Sequence, residues 1–215
     1  MKKLLLKELR LALHPTNLVF LALSAMLMIP AYPYYVVFFY TTLGLFFVCL
    51  TGRENKDIDY TLTLPVRRCD LVRARVLLAV VIQLAQVVAA VPFAILSQHI
   101  NRFGNVVGMD ANVAFFGLAL VMLGLFNLVF FPVYYQKPER VGLPFILASL
   151  AQAVYIVLME LAAHQVSFVR RYLDTLDPAY MPWKLAVLGV GALLFGLMTF
   201  AGCRMAEKRF EQVDL

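Results

Sequence analysis

Apolar runs long enough to cross a membrane alternate with short polar segments along this chain. Runs at about 17–29, 34–51, 76–96, 112–135, 141–163 and 185–202 predict six transmembrane helices. The first run is short against the roughly 20 residues a spanning helix uses. Either its helix begins inside the preceding segment or the bilayer is locally thin. Within residues 1–14, Lys3, Lys7, Arg10 and His14 recur on one helical face, and Leu5, Leu6, Leu9 and Leu13 on the other. This pattern predicts an amphipathic helix lying in the interface with its basic side toward lipid headgroups, ended by Pro15. A merely charged flank of the first span is the alternative. The segment does not read as a signal peptide, because its charges are interleaved with the leucines and no small-residue cleavage site follows.

The polar segment at 53–75 differs from everything around it. It gathers ten of the chain's 32 Lys, Arg, Asp and Glu residues. Its centre, Leu62-Thr63-Leu64-Pro65-Val66, is apolar again, with Pro65 as a breaker. Two readings stay open from the residues: a solvated loop carrying positive charge, or an apolar docking knob ringed by charge. Asp70 is placed to cap a helix that begins before the third span.

Composition sharpens the class. The chain is 62% hydrophobic and 15% charged, where soluble domains run about 45–50% apolar and a quarter charged. It reads as one all-α transmembrane domain over 1–215. The net charge of +6 is then a topology signal and does not call for nucleic acid. Fifteen of the nineteen Lys and Arg fall in the N-terminal segment, the 53–75 segment, the 136–140 turn and the C-terminal tail. The positive-inside rule therefore puts both termini and the 53–75 segment in the cytoplasm. The 97–111 and 164–184 loops fall outside. Cys49, Cys69 and Cys203 show no pairing or metal-ligand spacing, so free thiols are expected.

No GxxxxGK[ST] phosphate loop and no HExxH occur, and His14, His99 and His164 lie in separate segments. The expectation is no catalytic residue, no metal, no cofactor in this chain and no enzyme activity of its own. Inside the spans, Gln83 and Gln86 are expected to hydrogen-bond between helices. Ser149, Gln152 and Glu160 share a face of the fifth span with Tyr155 at its margin, and this face should look at protein or water. A substrate path or a contact with a second chain is one use for it; a carboxylate reaching the outer headgroups is the other. Tyr32, Tyr34 and Tyr35 suggest an interfacial aromatic belt. Ala192 and Gly196 form a small-xxx-small pair too common to identify anything.

The order of a basic amphipathic helix, two spans, then Leu64-Pro65-Val66-Arg67-Arg68 running into Leu71, Val72, Ala74 and Arg75 before a third span resembles the permease subunits of bacterial type-2 ABC exporters. It looks closest to the small phenol-soluble-modulin exporter type. The resemblance implies a dimer with a second permease chain, the same or related. It implies separate cytoplasmic ATPase subunits that carry the ATP and Mg, and a plasma-membrane location. The 53–75 segment would be the coupling element, with Asp57, Asp59, Tyr60, Leu62, Leu64, Pro65, Val66, Arg67 and Arg68 meeting the ATPase. The outer 164–184 loop would fold as short helices over the path. Residues 57–64 alternate polar and apolar, which by period alone says strand. An isolated strand has no partner, so a short coupling helix is expected, with strand addition to the ATPase as the alternative. Outward movement of an amphiphilic or hydrophobic peptide, lipid-like molecule or drug is the expected function. A stand-alone secondary transporter or channel would want more buried ionisable groups than Glu160. A non-transporting assembly or sensor subunit is the remaining alternative.

Overall fold

The computed structural model describes residues 2–9, 15–101, 104–175 and 177–213, and among them it is helical throughout, with no strand. Eight α-helices follow in order: α1 Lys2–Lys7, α2 Thr16–Ala22, α3 Tyr35–Glu54, α4 Asp57–Leu62, α5 Arg68–Ile100, α6 Val113–Tyr134, α7 Gly142–Gln165 and α8 Met181–Glu211. Five of them, α3 and α5–α8, are long and apolar enough to cross a membrane. The first apolar run is different. It is α2 continued by a 3-10 helix, Leu23–Met28, and at 1.5 and 2.0 Å rise per residue it is only about 22 Å long. That falls short of the ~30 Å hydrocarbon core. The Arg10–His14 part of the amphipathic segment lies outside the described residues.

Contacts define two ends of the bundle. At one end, Lys7 and Glu8 meet Asp57 of α4 and Arg75 of α5, and the tail of α8 meets Arg68 and Arg73. At the other end, Asn101 donates to the Met28 carbonyl at 3.0 Å, and the Val106 N–H donates to the Pro30 carbonyl at 2.9 Å. Lys7 and Met28 therefore lie at opposite ends of the bundle, but Asn17 packs against Gly44 midway along α3, so Thr16–Met28 covers only the half nearer the 101–112 loop.

The core is built around α6, about two-thirds of whose apolar stretch is buried, against about a tenth for α7. One apolar cluster, around Tyr35, Phe38 and Phe115, fills the half nearer the 101–112 loop; a second, around Phe126, Phe130, Tyr134 and Phe210, fills the half nearer α4. Tyr34 and Tyr35 belong to that core, each against the Phe115 ring, and do not form the interfacial belt their sequence position suggests. Proximity to prolines 30 and 33 misleads here, because the turn folds the tyrosines inward.

α6 and α8 approach almost backbone to backbone. A Cβ on Gly117 would sit 2.6 Å from the Val187 carbonyl, one on Gly202 2.7 Å from the Asn127 carbonyl, and one on Gly191 would overlap the Gly117 carbonyl. Small residues at such crossings let dispersion and polar contacts act at short range where no hydrophobic drive exists. Gly196, from the pair noted in the sequence, meets nothing within 4 Å. Gly191→Leu is expected to force the two helices apart and cost about 1–3 kcal/mol. The check is a lowered thermal midpoint in detergent, with Gly196→Leu as the unaffected control.

Candidate functional site

The site begins at the turn between α3 and α4. Asn55 and Lys56 make it, and Lys56 has φ 50°, a left-handed conformation that costs a non-glycine residue about 1–2 kcal/mol. That conformation delivers α4 directly, so residues 57–62 are helical and their alternation is not a strand pattern. The polar residues at 57, 59, 61 and 63 instead divide between a buried and an exposed side of a short helix. Asp57 and Thr61, one turn apart, point into the protein, while Asp59, Tyr60 and Thr63 point out.

Asp57 is the hinge of a buried ionic junction. Its Oδ2 accepts from Arg75 Nη2 at 2.5 Å, and its Oδ1 lies 2.5 Å from Lys7 Nζ. Arg75 Nε lies 2.6 Å from Glu8 Oε2. Lys7 also donates to Thr61 Oγ1 at 2.8 Å. Arg75 and Glu8 are 3% and 2% exposed. A Cβ on Gly52 would stand 3.1 Å from Arg75 Nη1, so glycine there leaves the guanidinium its room. Two cations and two carboxylates thus close a locally neutral cluster that fastens the α1 segment, α4 and α5 together. Burying any one of these charges alone costs several kcal/mol. Lys7 accordingly turns to α4 and not to lipid headgroups. The side chain of Lys3 and all of Arg10 lie outside what is described.

A second junction lies beside it. Arg73 Nε contacts Glu207 Oε1 at 2.6 Å. Arg68 donates to the carbonyls of Phe210 and Val213 at 3.2 and 2.5 Å and lies over the Phe210 ring. A cation on the last carbonyls of α8 complements that helix's dipole. Arg68 is therefore spent inside the chain. Arg67 is the N-cap of α5, with an extended backbone, and Asp70 is in the first turn without capping through its side chain. Asp70 instead accepts from Arg67 Nε at 2.9 Å, and that guanidinium holds its carboxyl below the usual carboxylate range.

The expected coupling residues consequently separate into two sets. Asp57, Leu62 and Arg68 face inward, with Leu62 packed on the second apolar cluster. Val66 is half-buried. Asp59, Tyr60, Leu64, Pro65 and Arg67 are exposed, Tyr60 at 64% and Leu64 at 43%. A cleft of about 150 Å³ adjoins this surface, lined among others by Lys56, Ile58, Asp59, Pro138 and Glu139. An apolar pair rimmed by charges beside a cleft can accept a complementary protein surface.

Within the bundle, Gln83 and Asn127 exchange two amide hydrogen bonds at 2.9 Å, Asn127 donates to Thr199 at 3.0 Å, and Gln86 donates to Ser24 at 2.8 Å. These glutamines link helices, as their sequence position implies. The polar face of α7 also turns inward. Gln152 accepts from Thr42 at 3.0 Å, and Tyr155 donates to the Leu118 carbonyl at 2.9 Å. Ser149's buried hydroxyl makes no hydrogen bond. The Glu160 carboxylate lies where a Cβ on Gly108 would be, beneath the 104–112 loop, and so does not reach out to headgroups. Burial raises the carboxyl of Asp174, which accepts from the Asp110 N–H at 2.9 Å and pins that loop to the 169–174 segment. Among the described residues no group of His, Cys, Asp and Glu is placed to hold a metal, and the three cysteines are free thiols.

Sequence reasoning missed Glu8 and the role of Arg75. The available signal is that Glu8 is the single acid in residues 1–14, and Arg75 the last charge before the third apolar run. Nothing local says that they pair.

A helical bundle with five membrane-length helices and a short helix held outside it by a buried ionic junction defines a polytopic membrane protein. The family model described as ABC-2 family transporter protein matches residues 3–206, and the chain belongs to that family. It is accordingly a membrane permease of an ABC transporter, a class that works with an ABC ATPase. No curated protein and no solved structure matches the chain.

Proposed function

We propose that this chain is the permease subunit of an ATP-driven exporter of the bacterial plasma membrane. It pairs with a second permease chain and moves an amphiphilic or hydrophobic molecule outward, while separate ATPase subunits bind ATP and Mg and do the hydrolysis. The observation that carries this reading is the exposed Tyr60–Leu64 surface of α4, mounted through Asp57 and Arg75 on a helix of 33 residues. A push on α4 reaches α5 through a charge pair instead of a slack loop, and α5 is about 50 Å long at 1.5 Å per residue. The placement of Lys7 and of the α8 tail beside α4, with Met28 at the opposite end, supports six crossings, the first made between Lys7 and Met28. The closed polar face of α7 then becomes a path when α7 parts from α3 and α6. Subtype and substrate rest on the sequence resemblance and on the apolar, aromatic walls.

Purification of the tagged chain from its native membranes is expected to bring down an ATPase with a phosphate loop, in a complex containing a second permease chain. Recovery of the chain alone, active in proteoliposomes with an ion gradient and no nucleotide, would instead support a secondary transporter. For orientation, single cysteines replacing Asn105 and Thr175 should react with a membrane-impermeant maleimide on intact cells, and Cys69 should not. The opposite pattern removes the cytoplasmic placement of α4.

A further inference from the structure

The segment between α7 and α8 carries two arginines that no acid among the described residues pairs, Arg171 lying over the Tyr172 ring at 5.7 Å. On that side of the bundle the sequence offers four cations. Arg102 lies outside the described residues. Lys184 is 3% exposed and donates to the carbonyls of Thr175 and Asp177. Arg170 and Arg171 remain. Both are exposed, and neither makes an ion pair among the described residues. The neighbouring acids are engaged elsewhere: Asp174 accepts from the Asp110 N–H and Asp177 from the Ala179 N–H.

These two arginines stand on a built platform. Val169 and Leu173 anchor the short helix Val169–Leu173 in the core. Phe168, Tyr172, Tyr180 and Trp183 interlock beside it, with ring centroids 5.0 Å apart for Phe168–Tyr172, 5.9 Å for Phe168–Trp183 and 5.2 Å for Tyr172–Tyr180. Phe168 is nevertheless 45% exposed and Trp183 53%. The platform joins the ends of α7 and α8, the two spanning helices with the least buried surface, so it sits where the bilayer meets water. Aromatic rings of this kind rest at headgroup depth. Guanidinium groups there match phosphate oxygens in charge and in fork geometry.

We propose that Arg170 and Arg171, on the Phe168–Tyr172–Trp183 platform, form a binding site for the headgroup of an anionic phospholipid in the outer leaflet. The aromatic rings hold the acyl-glycerol boundary and the two guanidiniums hold the phosphate. The site is a second function of this loop, separate from ATPase coupling. Its leaflet assignment rests on the orientation proposed above, but its existence does not.

Trp183 is the chain's single tryptophan and reports on the site directly. Full-length protein is placed in phosphatidylcholine nanodiscs containing brominated phosphatidylglycerol or, at the same low mole fraction, brominated phosphatidylcholine. The anionic lipid should be enriched about 25-fold at Trp183, since a basic residue near a membrane contributes about a factor of five per charge and two are present. Its quenching should exceed that of the zwitterionic lipid accordingly, and the excess should vanish in Arg170→Gln/Arg171→Gln. Equal quenching by the two lipids in the wild type would overturn the proposal and leave an ordinary aromatic belt. Persistence of the excess in the double variant would also overturn it, as would its complete loss to millimolar inorganic phosphate, which would mark a free-anion site. An unchanged thermal midpoint of the double variant in detergent shows that it is folded.

Discussion

Leu64→Arg is expected to strip the ATPase from the purified complex while leaving the permease inserted and folded. Leu64 and Tyr60 are the large apolar groups that α4 and its following turn leave exposed, and Asp59 and Arg67 stand beside them. Such anatomy, an apolar centre with a polar rim, concentrates binding energy in a few anchors. Losing one anchor costs on the order of 2 kcal/mol or more, about thirty-fold in affinity. Arginine adds a charge where the partner surface must be apolar. Leu62→Arg gives the contrasting result. Leu62 is packed on the core, so its replacement should lower the thermal midpoint of the permease itself. Arg67→Glu removes an exposed partner of Asp70 and should weaken docking only modestly, in a salt-dependent way. A Leu64→Arg chain that retains a full complement of ATPase would show that this surface is a solvated connector.

Arg75→Met is expected to be the most damaging single substitution outside the spans' glycines. It leaves Glu8 and Asp57 buried with one fewer cation between them. Removing one partner of a buried ion pair typically costs 3–5 kcal/mol. Thermal unfolding in detergent should show the loss, and limited proteolysis should show α1 and α4 released from the bundle. The triple change Glu8→Gln, Asp57→Asn, Arg75→Met removes the stranded charges and should recover most of the stability. Its ATPase should still bind, since Tyr60 and Leu64 are untouched, but transport per ATP hydrolysed should fall. Stability restored together with full coupling would mean that the junction only holds the fold.

The helices at Tyr35–Glu54, Val113–Tyr134 and Gly142–Gln165 are legible in the sequence because an apolar run bounded by prolines or charges has few other uses. Their partners are less legible. The α6–α8 contact rests on Gly117, Gly191 and Gly202, whose spacing matches no local motif, while the recognisable Ala192–Gly196 pair faces outward. Residues 57–64 carry a period of two that belongs to a helix, because a six-residue helix is too short for its periodicity to separate from alternation. The surface role of α4 is legible from composition, but its division is not. Asp57 and Asp59 are identical in type and two residues apart, yet one closes a buried ion network and the other meets solvent. Only the left-handed turn at Lys56 and the distant Lys7 and Arg75 decide between them. Likewise Arg67 and Arg68 are adjacent, and only the position of the α8 tail shows that Arg68 is already occupied. Long-range pairing of charges is what a single sequence withholds.

The central claim is that an ATPase docks on α4 and is mechanically joined to α5 there. The most direct measurement places a photo-crosslinking amino acid at Tyr60 and, separately, at the exposed Val88 of α5, in cells that express the native partners. The account predicts an adduct between position 60 and a subunit bearing a phosphate loop, its yield changing when non-hydrolysable nucleotide is added, with no such adduct from position 88. An ATPase captured elsewhere on the chain but never from position 60, with or without nucleotide, would contradict it.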